Sequence, residues 1–205
     1  MDTPQVQMHD SVFKRTLWLY GLYTLLSNAA YLFGYYLLPQ GFMRGSPAVA
    51  VGRLATANDF WTEFALTLFF NLGLQVLLGI VLNLNQVKGW PAGYLVPISL
   101  GITSGLISGT NSFSASDLTQ LNAWTGTALA ISIGGFEMLA YLLIIASTVR
   151  LGVYQYQSWW QWKSIKVMSL RDVRLTRAEV LCLILGVLML VVAAYRETAM
   201  RFNLS

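Results

Sequence analysis

Two residue types are nearly missing from this chain: it has one cysteine, Cys182, and one histidine, His9. No disulfide can close within a single chain, and no cysteine/histidine metal centre can be built from one residue of each. Cysteine usage therefore says nothing about the redox compartment. Charge is scarce too, with Asp, Glu, Lys and Arg making up 11% of 205 residues. The net charge of +4 is spread thinly; it suits an anionic membrane surface and is too dispersed to read nucleic acid, which is excluded as a partner. There is no Ser/His/Asp or Cys/His set, no Gly-x-x-x-x-Gly-Lys-Ser/Thr phosphate loop and no His-Glu-x-x-His zinc site. No catalytic residue, metal site or cofactor is predicted.

What is present is apolar sequence. Hydrophobic residues make up 56% of the chain and its mean hydropathy is +0.56, values that belong in lipid and not in a soluble globule. Five apolar stretches lie at 17–38, 63–84, 93–110, 123–149 and 178–195. Each approaches or exceeds the roughly 20 residues that a helix needs to cross the hydrocarbon core. Pro39-Gln40-Gly41, Lys88-Gly89-Trp90-Pro91 and the polar run 110–122 separate them. Thr176-Arg177-Ala178-Glu179 has capping-box spacing and is expected to start the fifth helix. The expected architecture is all-α, a polytopic transmembrane helical bundle of about five spans forming one membrane domain over 1–205.

Orientation follows from the basic residues. With a cytoplasmic N-terminus, that side holds Lys14, Arg15, Lys88, Arg150, Lys163, Lys166, Arg171, Arg174 and Arg177, and the other side only Arg44, Arg53, Arg196 and Arg201. Nine against four predicts a plasma-membrane protein with its N-terminus inside and its C-terminus outside. A signal peptide fits worse. The first stretch has 22 residues, against the usual ~7–15, and Ala48-Val49-Ala50 lies about ten residues past its end.

In lipid, helices associate through small residues and hydrogen bonds. Gly93, Pro97, Gly101, Gly105 and Gly109 recur every four residues, as do Gly126, Ala130 and Gly134. The third and fourth spans are therefore expected to pack as a hairpin joined by 110–122. Thr67, Asn71, Gln75, Gly79 and Asn83 form another four-residue series, whose amides should point into the bundle, as should Asn28, Tyr31 and Tyr35. The fifth span, interrupted only by Cys182 and Gly186, is expected at the periphery.

Glu137 is the one ionisable side chain deep within a predicted span, where an unpaired charge costs at least ~2.5–3.5 kcal/mol. With Gly126, Ala130, Gly134 and Tyr141 it falls on one helical face. It reads as a proton or cation site, or as a structural acid tied to Asn71, Gln75 or the backbone, the structural reading being favoured. The segment 154–173 mixes Trp159, Trp160, Trp162, Ile165 and Met168 with Lys163, Lys166, Arg171 and Arg174. An in-plane amphipathic helix on the cytoplasmic lipid surface is expected there, the alternative being a docking site for an ATPase.

The run Ile133-Gly134-Gly135-Phe136-Glu137, followed by an apolar helix and Arg150-Leu151-Gly152, resembles the signature of the stage II sporulation protein M family. That signature is His-Gly-x-x-Glu, about a dozen apolar residues, then Gly-Leu-Arg-Leu-Gly. Gly134, Glu137, Arg150, Leu151 and Gly152 match it in identity and spacing, while Ile133 and Thr148 replace its histidine and a glycine. The resemblance spans roughly 65–152. It implies a polytopic, non-enzymatic membrane protein that organises or recruits other membrane or extracytoplasmic proteins; the sporulation member's cell-wall hydrolases are not carried over. The rival expectation is a transport component, either a permease subunit or a proton-linked carrier using Glu137. An intramembrane enzyme is the least supported reading, since no second catalytic group accompanies the acid.

Overall fold

A computed structural model of the chain describes residues 11–113, 123–160 and 163–203, without the side chains of 74–75, 123, 125–133 and 203. The helices are α1 (Val12–Leu37), α2 (Pro47–Leu54), α3 (Phe60–Phe69), α4 (Leu77–Asn83), α5 (Leu95–Gly109), α6 (Ala123–Ser147) and α7 (Arg177–Asn203). A π-helical stretch, Phe70–Val76, joins α3 to α4. Among the described residues, four helical segments are long and apolar enough to cross a membrane: Phe60–Asn83, Ala92–Gly109, Gly134–Leu151 and Arg177–Phe202. At 26 residues α1 is long enough, but Tyr20, Tyr23, Asn28, Tyr31, Tyr35 and Tyr36 lower its apolarity and it falls outside that group.

The centre of the bundle is α6. Ala140, Leu142, Ile144, Ile145 and Ala146 are all essentially inaccessible. Consecutive residues point around a helix, so a run buried on every side means neighbours on every side. Those neighbours are α1, α4, α5 and α7. Leu19 of α1 and Cys182 and Leu190 of α7 complete the core. The outer helix α7 buries one face, where a side chain at Gly186 would meet Ile144 and the Ala140 carbonyl, and exposes Leu181, Ile184, Leu188 and Val192 on the other.

The expected pairing of the third and fourth spans is corrected. The Gly101, Gly105, Gly109 stripe of α5 packs on α1, and α5 touches α6 only sparsely. A side chain at Gly105 would collide with the Ser27 carbonyl, and one at Gly109 with the Tyr31 carbonyl. Gly34 returns the small surface from α1, lying against Gly109 and Thr110. Register increases along both helices together, so α1 and α5 run parallel. Gly134, expected on the matching face of α6, would meet nothing within 4 Å if it carried a side chain. The surroundings of Gly126 lie outside the described residues.

The expected amphipathic helix over 154–173 is also corrected; the chain is mostly helical, as expected, but carries a few short strands. The chain there forms β3 (Tyr154–Tyr156), β4 (Ser164–Lys166) and a single 3-10 turn, Leu170–Asp172. These strands join β1 (Asn85–Val87) and β2 (Trp90–Pro91) in a small sheet of order β2-β1-β3-β4. Lys88 and Gly89, with φ of 51° and 81°, make the tight turn between β1 and β2. Parallel pairing of β3 with β1 is started where the Val153 and Tyr154 N–H groups both donate to the Leu84 carbonyl, at 2.8 and 2.9 Å. The carbonyl just past α4 thus supplies the acceptor that draws the segment into a ladder, a partner that periodicity within the segment does not reveal.

Candidate functional site

Among the described residues, three polar constellations involve ionisable side chains. The first surrounds Glu137 on α6. Its Oε1 accepts hydrogen bonds from Asn71 Nδ2 and from the Tyr141 hydroxyl, each at 2.9 Å. Tyr141 stands one turn further along the same helix, and Asn71 sits in the π-helical stretch, where the wider turn interrupts the α-helical register. The Gln75 side chain lies outside the described residues. Asn71, Glu137 and Tyr141 are thus brought together, tying the second apolar segment to α6.

The second constellation lies at the end of the bundle that carries the sheet. Glu179, in the first turn of α7, forms the predicted capping box. Its Oε2 accepts from the Thr176 N–H at 2.8 Å and the Thr176 hydroxyl at 3.0 Å, while its own N–H donates to Thr176 Oγ1 at 3.2 Å. The other oxygen, Oε1, accepts from Arg15 Nη2 of α1 at 2.5 Å and from Arg150 Nε, just past α6, at 3.0 Å. Glu179 and Arg15 are 2% and 5% exposed and Arg150 is 43% exposed. One carboxylate therefore gathers the starts of α1 and α7 and the end of α6. The buried Arg15 Nε has no hydrogen-bond partner among the described residues, so the guanidinium depends heavily on this one acid.

At the same end Asn83 closes α4 onto α6, donating to the Ile145 carbonyl at 2.9 Å and to Thr148 Oγ1 at 2.8 Å while fully buried. The resemblance residues Arg150, Leu151 and Gly152 occupy the exit from α6. Arg150 pairs with Glu179, Leu151 ends a 3-10 turn, and Gly152 leaves room for the Gln86 side chain, which any larger residue would strike. The third constellation lies at the opposite end, where Arg201 near the end of α7 pairs with buried Glu63 of α3. Glu63 also accepts the Ala57 N–H at 3.0 Å. Phe60, Phe64, Tyr195 and Phe202 stack edge-on around that pair.

The sequence candidates include Asn71, Glu137 and Tyr141, and Arg150 as a residue of the signature and, with Glu137, a structural or functional pivot; Arg15 and Arg201 enter only as flanking charges that set orientation, Glu63 only as the first residue of the second apolar stretch, and Glu179 only as a cap. A signal was available: Arg15, Arg150 and Glu179 fall on one predicted side, and Glu63 and Arg201 on the other. Of the predicted interface residues, Trp159, Trp160, Lys163 and Lys166 are exposed beside the sheet, and Trp162 lies outside the described residues. Among the described residues no group of three or more His, Cys, Asp or Glu side chains is arranged to hold a metal ion.

No protein-family profile, curated protein or solved structure matches this chain.

Proposed function

We propose that this chain is a five-span, non-enzymatic membrane protein that holds partner proteins in place, with its N-terminus and sheet on the cytoplasmic side of the plasma membrane. The observation that carries the reading is the Glu179 node. A single buried carboxylate fastens three helices at one end, and a second ion pair fastens α7 to α3 at the other. Interior charge so committed to interhelical ties suits a rigid frame more than a conducting path. Five crossings are supported by α1, whose 26 residues extend about 39 Å and run parallel to α5. The resemblance to the stage II sporulation protein M family agrees with this role, and Arg150 and Gly152 hold structural positions at the exit from α6.

The test is extraction of the full chain from its native membrane in mild detergent, with mass spectrometry of what co-purifies. The organising role expects a defined membrane or extracytoplasmic partner at fixed stoichiometry. Solute movement by the purified chain alone in vesicles overturns it. A second reading, a proton-linked carrier, draws on one specific observation: Asn71 reaches Glu137 from a π-helical stretch, a deformation frequent at functional sites. Under that reading purified protein dissipates a proton gradient and Glu137→Gln does not.

A further inference from the structure

The sheet carries side chains that the bundle does not cover. Trp159 and Trp160 follow β3 and are 53% and 90% exposed, and Ile165 at the centre of β4 is 58% exposed. Lys163 and Lys166 flank Ile165 and are exposed as well. Between residues 157 and 178 the basic residues are Lys163, Lys166, Arg171, Arg174 and Arg177, and the one acid is Asp172. Large apolar groups interleaved with uncompensated lysine and arginine make a poor surface to leave in water. They make a good one for a layer that is anionic outside and greasy beneath.

The position of the sheet agrees. Trp18 at the start of α1, Trp90 and Tyr94 before α5 form one aromatic cluster, with ring centroids 5.9, 6.0 and 6.1 Å apart. Tyr94 is buried, but Trp18 and Trp90 are 43% and 41% exposed, and exposed indoles at the ends of apolar helices settle at the headgroup level. Trp90 is also a residue of strand β2. The sheet therefore starts at that level, and β1, β3 and β4 extend from it. We propose that the β3–β4 arm docks onto anionic phospholipid, with Trp159 and Trp160 seated among the headgroups and Lys163 and Lys166 contacting lipid phosphates. Lipid is the occupant because the charge is of one sign, the apolar groups include indoles suited to an interface, and the arm is continuous with the aromatic belt. This rests on the membrane reading of the chain and is independent of whether it holds partner proteins.

The test uses the purified full chain reconstituted in phosphatidylcholine vesicles with and without phosphatidylglycerol. Tryptophan emission and acrylamide quenching are read against the Trp159→Phe, Trp160→Phe double variant, so that the difference reports the arm. Phosphatidylglycerol is expected to blue-shift that difference signal and protect it from acrylamide. High salt and the Lys163→Gln, Lys166→Gln double variant should each abolish the effect. All these positions are exposed, and matching helical circular dichroism verifies that the variants fold. Equal quenching in both lipids, or a lipid dependence that survives the lysine substitutions, overturns the proposal. Protection that appears only on adding proteins extracted from the native membrane overturns it in favour of a protein partner.

Discussion

Glu179→Gln is the sharpest perturbation of the fold because it removes charge and little else. Glutamine serves the capping box as glutamate does, so the start of α7 keeps its cap. What disappears is the counter-charge to Arg15, a guanidinium 5% exposed in the side chain and without another partner at Nε among the described residues. Removing one member of a buried ion pair costs about 3–5 kcal/mol, since the other charge is left desolvated. The node lies in the first turn of α7, near the bundle end, so screening puts the value near the bottom of that range, about 3 kcal/mol. Arg150 is 43% exposed, and its removal should cost at most ~1 kcal/mol, as for a surface pair. Cys182 supplies the assay. It is the chain's one cysteine, it is buried, and it lies one turn beyond Glu179. A thiol-reactive fluorophore added during heating in detergent therefore reports opening of this region directly. Glu179→Gln should lower the midpoint by about 6–12 °C, at ~2–4 °C per kcal/mol for a chain of this size, and Arg150→Gln by only a few degrees. Combining Arg15→Gln with Glu179→Gln should cost less than the sum of the two. If Glu179→Gln and Arg150→Gln prove equivalent, or both leave the midpoint unmoved, the carboxylate is not the fastening point argued for it.

Other consequences are equally direct. Gly105→Ala forces a methyl against the Ser27 carbonyl and to within 2.8 Å of Ala30 Cβ; it should destabilise by about 1–3 kcal/mol, measured in the same thermal assay, whereas Gly21→Ala meets nothing within 4 Å and should be harmless. Asn83→Leu removes the donor to both Ile145 and Thr148 in a fully buried position, a loss of about 1–3 kcal/mol seen as a lower unfolding midpoint. Asp59, exposed ahead of α3, has its carboxyl held below the usual carboxylate range by hydrogen bonds from Thr62, whose N–H donates at 2.9 Å. A lowered folded-state pKa adds stability that is complete above the ordinary carboxylate range and is lost as pH falls through the lowered value. Hydrogen exchange across the first turn of α3, corrected for intrinsic rates, should therefore accelerate on acidification in the parent, and Asp59→Asn should abolish that pH dependence.

How far these features could be read in advance depends on whether the information is local. The four-residue recurrence of Gly101, Gly105 and Gly109 marks a face that a neighbouring backbone approaches, and such a face exists. Which helix approaches it depends on the partner, and the matching row at Gly126, Ala130 and Gly134 pointed to α6 instead of α1. The capping box at Thr176 and Glu179 was legible because both halves lie within four residues. The pairing of Glu179 with Arg15 spans 164 positions, and no local spacing encodes it. Strand β3 is hidden for the same reason, as its pairing begins on the Leu84 carbonyl, some seventy residues upstream, and β4, which pairs with β3 alone, follows from it.

The distribution of those distant charges carries a further consequence for how α7 is oriented. Glu179 occupies its first turn and Arg201 its last, the arrangement that the helix dipole favours. Each also faces its opposite: Glu179 meets Arg15 and Arg150 at one end of the bundle, and Arg201 meets Glu63 at the other. Turned end for end, α7 would set Arg201 beside two arginines and Glu179 beside a glutamate. The van der Waals packing that joins helices in lipid is largely insensitive to polarity, so direction rests on the connection from α6, on the distribution of basic residues and on these pairs. Buried pairs add little to net stability compared with apolar groups of the same shape, but they penalise the wrong arrangement heavily. The charges at the two ends of α7 therefore reinforce the direction in which this helix runs more than they add to its net stability.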